Sequence, residues 1–240
     1  MKTQQNFKRY EKKYLINEAQ YQALRTCLDT YMSVDQYDWS TICNIYYDTP
    51  DYRLIRTSIE KPVYKEKMRL RTYGIPVENS PAFIEVKKKF KGIVYKRRMT
   101  LPYQQALDWL AQEPDTACDS QIAEEICWFR KFYGNLSPAV VLCYDRLALY
   151  GNENKDLRVT FDRSIRWRTD HLDLTDGDTG EYLLPEGFYI MEIKIPGSMP
   201  LWMADLLDRL EVYPTSFSKY GRAYQTFACR KPVLWQQGVG

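Results

Sequence analysis

Charged side chains recur at every second residue in several strand-like segments of this chain. The clearest segments are 68–71 (M-R-L-R), 84–87 (I-E-V-K) and 190–194 (I-M-E-I-K). Side chains alternate across a β-strand, so residues two apart share a face. The opposite face of these segments is largely apolar, which predicts a sheet with one charged and one packed face. The charged face is either exposed surface or the lining of a closed polar interior, and alternation alone does not decide between them.

The composition is typical of one globular domain over residues 1–240, with 45% hydrophobic and 27% charged residues. The formal net charge is only +3, so an anion-binding site must arise from local segregation of charge. The six cysteines include no C-x-x-C pair, which favours small buried hydrophobes in a reducing compartment. The N-terminus is polar, and no apolar run approaches the roughly 20 residues that span a bilayer. We therefore expect a cytoplasmic protein without a membrane span.

Eight segments are rich in β-branched and aromatic residues and are predicted to be strands. They are 7–16, 41–48, 64–73, 82–90, 93–101, 139–150, 156–163 and 187–195. Helices are predicted from residue 17 to about 32, after Pro102, from residue 119 or 120 to Gly134, over 200–212 and over 217–229. Lys91-Gly92 predicts a β-hairpin between two of the strands.

The charged faces of these segments contain many cations and few carboxylates. The cations are Arg9, Lys13, Arg69, Arg71, Lys87, Lys96, Arg98, Arg146, Arg158 and Lys194, with Lys219 near a helix start. The carboxylates are Glu11, Glu85, Asp162 and Glu192. Arginine binds phosphate through paired hydrogen bonds and lysine as a point charge, while carboxylates suit Mg(II) or Mn(II). The residues indicate a site for a phosphate chain and a divalent metal, with a solvated, salt-bridged face as the alternative.

An ordered series of short motifs resembles the VTC domain, the polyphosphate polymerase branch of the CYTH-like triphosphate tunnel metalloenzymes. The motifs are 9–14 (R-Y-E-K-K-Y), 69–71 (R-L-R), 85–87 (E-V-K), 96–98 (K-R-R), 144–146 (Y-D-R), Arg158 with Asp162, 192–194 (E-I-K) and 218–220 (S-K-Y). The resemblance covers about 7–228 and leaves 230–240 as a C-terminal tail. It implies an α+β, mainly β fold: a closed eight-stranded antiparallel β-barrel, the triphosphate tunnel, with helices packed outside.

The resemblance also implies roles for individual residues. Phosphate or nucleotide binding would involve Arg9, Lys13, Arg69, Arg71, Lys87, Lys96, Arg98, Arg146, Arg158, Lys194, Ser218 and Lys219. Of these, the residues expected to act in catalysis are Lys13, Arg69, Arg71, Arg146 and Lys219. Glu192 would hold Mn(II) or Mg(II), while Glu11 and Glu85 would assist with the metal or orient neighbouring basic residues.

The implied activity is metal-dependent transfer of the γ-phosphate of ATP to a growing inorganic polyphosphate chain. Such a transfer needs positioning and charge neutralisation more than a general base. This agrees with a chain whose only histidine, His171, lies in a polar stretch. The hydrolase and cyclase branch resembles E-x-E-x-K at its first strand, but this chain has Arg9 at the first of those positions. Losing that carboxylate weakens a second metal site, where a hydrolase would activate water, and favours the polymerase.

Two alternatives stay open on sequence grounds. One is a triphosphatase of the same fold, and the other is a non-enzymatic module that binds polyphosphate or inositol phosphate. Nucleic acid is not expected, because tyrosines such as Tyr46 and Tyr144 are assigned to packing rather than to base stacking. The expected partners are ATP and inorganic polyphosphate. A membrane-protein partner at the cytoplasmic face is compatible with release of the product chain, but no residue indicates one, and none indicates the oligomeric state.

Overall fold

The structure is a computed structural model that describes residues 9–36, 38–91, 93–114 and 120–230. Arg9 is described only as the first backbone position of a strand. The predicted tail from residue 231 onward and the hairpin residue Gly92 lie outside the described residues. No helix in the described ranges is long and apolar enough to cross a membrane.

Antiparallel strands dominate the described chain. They are β1 (Arg9–Asn17), β2 (Met32–Val34), β3 (Ser40–Asp48), β4 (Tyr64–Tyr73), β5 (Pro81–Phe90), β6 (Ile93–Pro102), β7 (Ser137–Gly151), β8 (Arg158–Arg168), β9 (Glu181–Tyr182), β10 (Phe188–Pro196) and β11 (Pro214–Thr215). They form one sheet in the order β11-β1-β10-β8-β7-β3-β4-β5-β6, with β2 on β7 and β9 on β8. The ladder of Phe90 with Ile93 confirms the predicted hairpin of β5 and β6.

Six α-helices are interspersed with these strands. They are α1 (Glu18–Leu28), α2 (Arg53–Ile59), α3 (Tyr103–Ala111), α4 (Gln121–Tyr133), α5 (Leu201–Arg209) and α6 (Lys219–Ala228). Local sequence explains several starts: Asn17 and Gln20 form a reciprocal capping box, and Ser120 caps α4. The Ser218 hydroxyl likewise accepts the Gly221 N–H at the start of α6.

The sheet is curled, and its two ends approach each other. On a flat sheet, six strand spacings of about 4.8 Å would separate β1 from β5 by about 29 Å. The Glu11 carboxylate on β1 is nevertheless 3.4 Å from the Lys87 ammonium on β5. The charged face is therefore concave, and residues from distant strands meet on it.

The predicted closed eight-stranded barrel is wrong. In the part of the chain that the structure describes, β6 and β11 are the two edges of the path, and no ladder joins them. The outer side of β1 is partly taken by the short strand β11, where Lys13 is in register with Thr215. The edge strand β6 carries Lys96, Arg97 and Arg98, and charged side chains on an edge disfavour pairing with another strand. The mainly β, α+β character of the prediction holds.

Helices pack on both faces of the sheet, not only outside it. On the convex face, α1 and α5 pack against β1, β8 and β10, while α3 and α4 pack against β3, β4 and β5. On the concave face, α2 and α6 cover part of β3 and β7 through a third core, in which the Tyr46 and Tyr220 rings stack with centroids 4.6 Å apart. The start of α6 is thereby held beside the charged side chains.

Candidate functional site

Glu85 is the centre of one charged cluster on the concave face. Its carboxylate is only 1% exposed and accepts from the Nε atoms of Arg69 and Arg98 at 2.8 and 2.7 Å. The Lys96 ammonium lies 2.6 Å from the same carboxylate. Burial raises the pKa of Glu85, but Arg69, Arg71 and Lys96 outweigh it and hold the pKa far below its usual range. Glu85 is thus ionised, and it fixes cations from β4 and β6.

Asp162 organises a second cluster at the junction of β7, β8 and α6. The Arg146 guanidinium donates two hydrogen bonds to its carboxylate, at 2.6 and 2.7 Å, and the Lys219 ammonium donates a third. Burial opposes the charge on Asp162, yet Arg146 and Lys219 lower its pKa to about 2. The buried Asp162 carboxylate therefore holds together Arg146 and Lys219, which are 73 positions apart in sequence.

Glu11 and Glu192 form the third cluster, between β1 and β10. The Lys13 ammonium lies 3.6 Å from Glu11 and 3.7 Å from Glu192, and the Lys194 ammonium is 2.9 Å from Glu192. Burial and the neighbouring Glu192 raise the pKa of Glu11, but Lys87 on β5, Lys13 and Lys194 together outweigh them, so that the pKa is lowered. Burial also raises the pKa of Glu192, but Lys194, Lys13 and Arg146 together outweigh it and hold that pKa well below its usual range. The ionised carboxylates of Glu11 and Glu192 are therefore linked through the Lys13 ammonium.

Arg71 is held without a carboxylate. Its Nε donates to the Asn44 side chain at 3.0 Å, and its Nη2 donates to the Tyr144 hydroxyl at 3.1 Å. Burial raises the pKa of Tyr144, but Arg146 and Arg71 outweigh it and lower that pKa to about 8. The Tyr46 hydroxyl similarly accepts from Arg69 at 3.3 Å. The assignment of Tyr46 and Tyr144 to packing was therefore incomplete, because both also orient arginines.

The remaining predicted residues are Ser218, Arg158 and Arg9. Ser218 lies at the start of α6, where its hydroxyl accepts from the Lys67 ammonium at 2.9 Å. Arg158 lies at the start of β8, and its nearest carboxylate is that of Asp35, at 3.6 Å. Its side chain is 53% exposed, so the structure does not bring it into the three clusters. The side chain of Arg9 is outside the described part of the chain, and its predicted role stays a prediction.

Lys67 belongs to the concave face but was absent from the sequence prediction. It precedes Arg69 by two positions on β4, and it lies in register with Lys87 on β5. The signal was present in the sequence, since 67–71 (K-M-R-L-R) continues the alternation by one step. The predicted segment 68–71 began one residue too late to include Lys67.

The carboxylates differ in their fit to a divalent metal. Glu11 and Glu192 face each other near the surface of the concavity, and Mg(II) is commonly bound by one or two carboxylates together with phosphate oxygens. Glu85 does not fit, because three cations already occupy its two oxygens. In the described ranges, no three acidic, histidine or cysteine side chains converge into a metal site. A metal on Glu11 and Glu192 would therefore complete its coordination with phosphate oxygens or water.

A known protein of low sequence identity shares the fold of this chain, and one family model covers most of its length. Among solved structures, a candidate adenylate cyclase from Bacillus halodurans matches with a TM-score of 0.55 and 14% identity, over 92% of this chain and 98% of its own. Another, from Vibrio parahaemolyticus, matches with a TM-score of 0.48 and 11% identity, over 91% and 99%. At such identities the first likeness concerns the fold alone. No match is found among curated proteins. The family model of the VTC domain matches residues 8–228, and the chain therefore belongs to the VTC domain family.

Proposed function

We propose that this protein is a polyphosphate polymerase that transfers the γ-phosphate of ATP to the end of a growing inorganic polyphosphate chain. The observation that carries the proposal is the gathering of cations from distant strands onto one concave face, where they outnumber the carboxylates. The cations in contact there are Lys13, Lys67, Arg69, Arg71, Lys87, Lys96, Arg98, Arg146, Lys194 and Lys219. Their carboxylate partners are Glu11, Glu85, Asp162 and Glu192.

The excess positive charge suits a ligand with several negative charges in a row. Arginines such as Arg69 and Arg71 can bind phosphate oxygens through two parallel N–H groups, and they are already oriented by Tyr46, Asn44 and Tyr144. Donors that are fixed before the ligand arrives lose little freedom on binding. The face thus favours a linear phosphate chain over a single phosphate.

Transfer along such a chain requires little chemistry from the protein. The terminal oxygen of polyphosphate is already anionic, so it can attack the γ-phosphorus in line without a general base. The bond from the attacking oxygen to the γ-phosphorus forms while the bond to the β-bridging oxygen breaks, and ADP leaves. Arg69, Arg71 and Lys13 are suited to neutralise the charge that spreads over the transferred group. Mn(II) or Mg(II) held by Glu11 and Glu192 would add charge neutralisation at the phosphates.

The direct test is the fate of ATP. Purified protein is incubated with ATP and Mn(II), and the products are separated on a polyacrylamide gel stained for polyphosphate. We expect a ladder of chains with equimolar ADP. Orthophosphate without a ladder would replace the proposal with the triphosphatase, and binding without ATP turnover would replace it with a binding module.

Removing Arg71 should weaken binding of phosphate chains without disturbing a carboxylate. We expect Arg71→Ala to raise the Kd for tripolyphosphate about tenfold or more, since a hydrogen bond to a charged group contributes roughly 1.5–3 kcal/mol. The affinity of the wild type should fall more steeply with salt than that of the variant. Isothermal titration calorimetry at two salt concentrations measures both.

The control for this experiment is Arg97→Ala. Arg97 lies on the opposite face of β6, where its Nε is 2.7 Å from the Glu125 carboxylate and its side chain is 44% exposed. We expect its Kd to stay within about twofold of the wild type. Equal losses in the two variants would indicate a general effect of net charge rather than a site on the concave face.

A further inference from the structure

Lys67 differs in its partners from the lysines of the three charged clusters. Lys13, Lys87, Lys96, Lys194 and Lys219 each lie within 4.0 Å of a carboxylate. Among the described residues, no carboxylate lies within that distance of the Lys67 ammonium, and its hydrogen bond goes to the neutral Ser218 hydroxyl. Lys67 is therefore a cation whose charge the protein leaves uncompensated.

The charged side chains with the largest effect on Lys67 are all cations. Lys65 and Arg69 flank it on β4, Lys87 opposes it on β5, and Lys13 faces it from β1. At the start of α6, the Ser218 hydroxyl accepts its hydrogen bond. Burial and, after it, Lys13 and Lys87 lower the pKa of Lys67 to about 7. An ammonium in such a place costs stability unless an anion joins it.

Two neighbours of Lys67 show where such an anion would sit. Ser218 is the N-terminal cap of α6, and the first turn of a ten-residue helix presents N–H groups to an anion. The Lys13 ammonium donates to the Phe217 carbonyl at 3.3 Å, which brings a second lysine to the same segment. The ammonium groups of Lys67 and Lys13 therefore both reach the adjoining residues Ser218 and Phe217 at the start of α6.

We propose that Lys67, together with Ser218, binds a phosphate group of the chain, with Lys67 acting as an ammonium whose charge no nearby carboxylate of the described chain offsets. This inference rests on the proposed function, because the ligand is the same phosphate chain. It adds a residue that the family motifs in this sequence did not assign. It also implies coupling to protons: a phosphate beside Lys67 favours the ammonium, so binding near neutral pH should be accompanied by proton uptake at this residue.

The test compares Lys67→Met and Lys67→Arg with the wild type, using tripolyphosphate as the probe. Calorimetry at pH 7.5 in two buffers of different ionisation enthalpy gives both the Kd and the protons taken up. We expect Lys67→Met to raise the Kd about tenfold and to lose the proton uptake assigned to Lys67. Lys67→Arg should keep the Kd within about threefold, yet lose that proton uptake, because arginine stays charged at this pH.

Thermal melting separates a binding role from a structural one. Without ligand, we expect Lys67→Met to melt at or above the wild-type temperature, since it removes a charge without a carboxylate partner. The control is Lys65→Met, two positions earlier on β4, where the ammonium donates to the Ser58 carbonyl at 3.2 Å. Its Kd should change less than threefold.

The outcomes distinguish this inference from the function on which it rests. If the wild type binds tripolyphosphate and Lys67→Met binds equally well with unchanged proton uptake, the inference is wrong and the proposed function stands. If Lys67→Met loses both binding and folded structure, Lys67→Arg decides. A folded Lys67→Arg that keeps its affinity and loses the proton uptake supports the inference, and a folded Lys67→Arg that loses its affinity overturns it. If the wild type itself does not bind, both proposals are overturned.

Discussion

Replacing Glu85 by glutamine is expected to remove about 3–5 kcal/mol from the free energy of unfolding. The carboxylate is almost fully buried and compensates Arg69, Lys96 and Arg98, so the neutral amide would leave three cations crowded without an anion. Urea denaturation of the two proteins at pH 7 measures the difference. A loss below about 1 kcal/mol would contradict the view that Glu85 holds this face together.

The matched control is Glu125→Gln, which breaks the ion pair with Arg97 on the opposite side of β6. Both side chains of that pair are partly exposed, at 30% and 44%, and a surface pair contributes at most about 1 kcal/mol. Acid titration gives a second comparison. Because the pKa of Glu85 is lowered in the folded protein, its stabilisation is present above the unfolded-state pKa and is lost as the pH falls below it. Glu85→Gln should therefore lose less stability in acid than the wild type does.

Replacing Glu192 by glutamine should abolish chain synthesis, with a fall in rate of at least about 100-fold. Glu192 holds Lys13 and Lys194 in place, and with Glu11 it forms the carboxylate pair suited to a divalent metal. The measurement is the initial rate of ADP release from ATP across a range of Mn(II) concentrations. A higher Mn(II) requirement in the residual activity would support the metal role over a purely positioning role.

Circular dichroism should show that the Glu192 variant keeps its fold, because Lys13 retains Glu11 as a partner. The control is Glu181→Gln, which removes an exposed ion pair with Arg230 far from the three clusters. Its rate should match the wild type. Synthesis within a few-fold of normal in Glu192→Gln would remove this residue from the proposed site.

Much of the sheet could be predicted from alternation, because the two-residue period is local. The predicted segment 64–73 coincides with β4, and 7–16 agrees with β1 from Arg9, where the described chain begins, and ends one residue before it. Alternation also assigned the charged side chains to one face. It could not tell whether the edges of the sheet join, because closure depends on pairing between strands far apart in sequence.

The missed helix α2 shows a second limit of local patterns. Its N-cap, Tyr52, has a left-handed φ of 58° and makes no capping hydrogen bond with its side chain. The cap comes instead from Asp48, the last residue of β3. Its carboxylate accepts hydrogen bonds from the N–H groups of Leu54 and Ile55. A cap supplied from six positions away leaves no short motif to recognise. Lys67 was different, since the alternation over 67–71 already places it on the charged face.

The placement of α6 has a consequence for how the protein acquires its site. Ser218 and Lys219 reach Lys67 and Asp162 only when α6 has docked on β3 and β7, and Glu11 meets Lys87 only when the sheet has curled. These contacts link segments more than 50 residues apart, and such non-local contacts form late and slowly in folding. During synthesis, the strands that carry most of the positive charge emerge well before the helix that completes the site. A nascent chain would therefore expose unmatched arginines and lysines, and polyanions present at that stage could act on its folding before any catalysis begins.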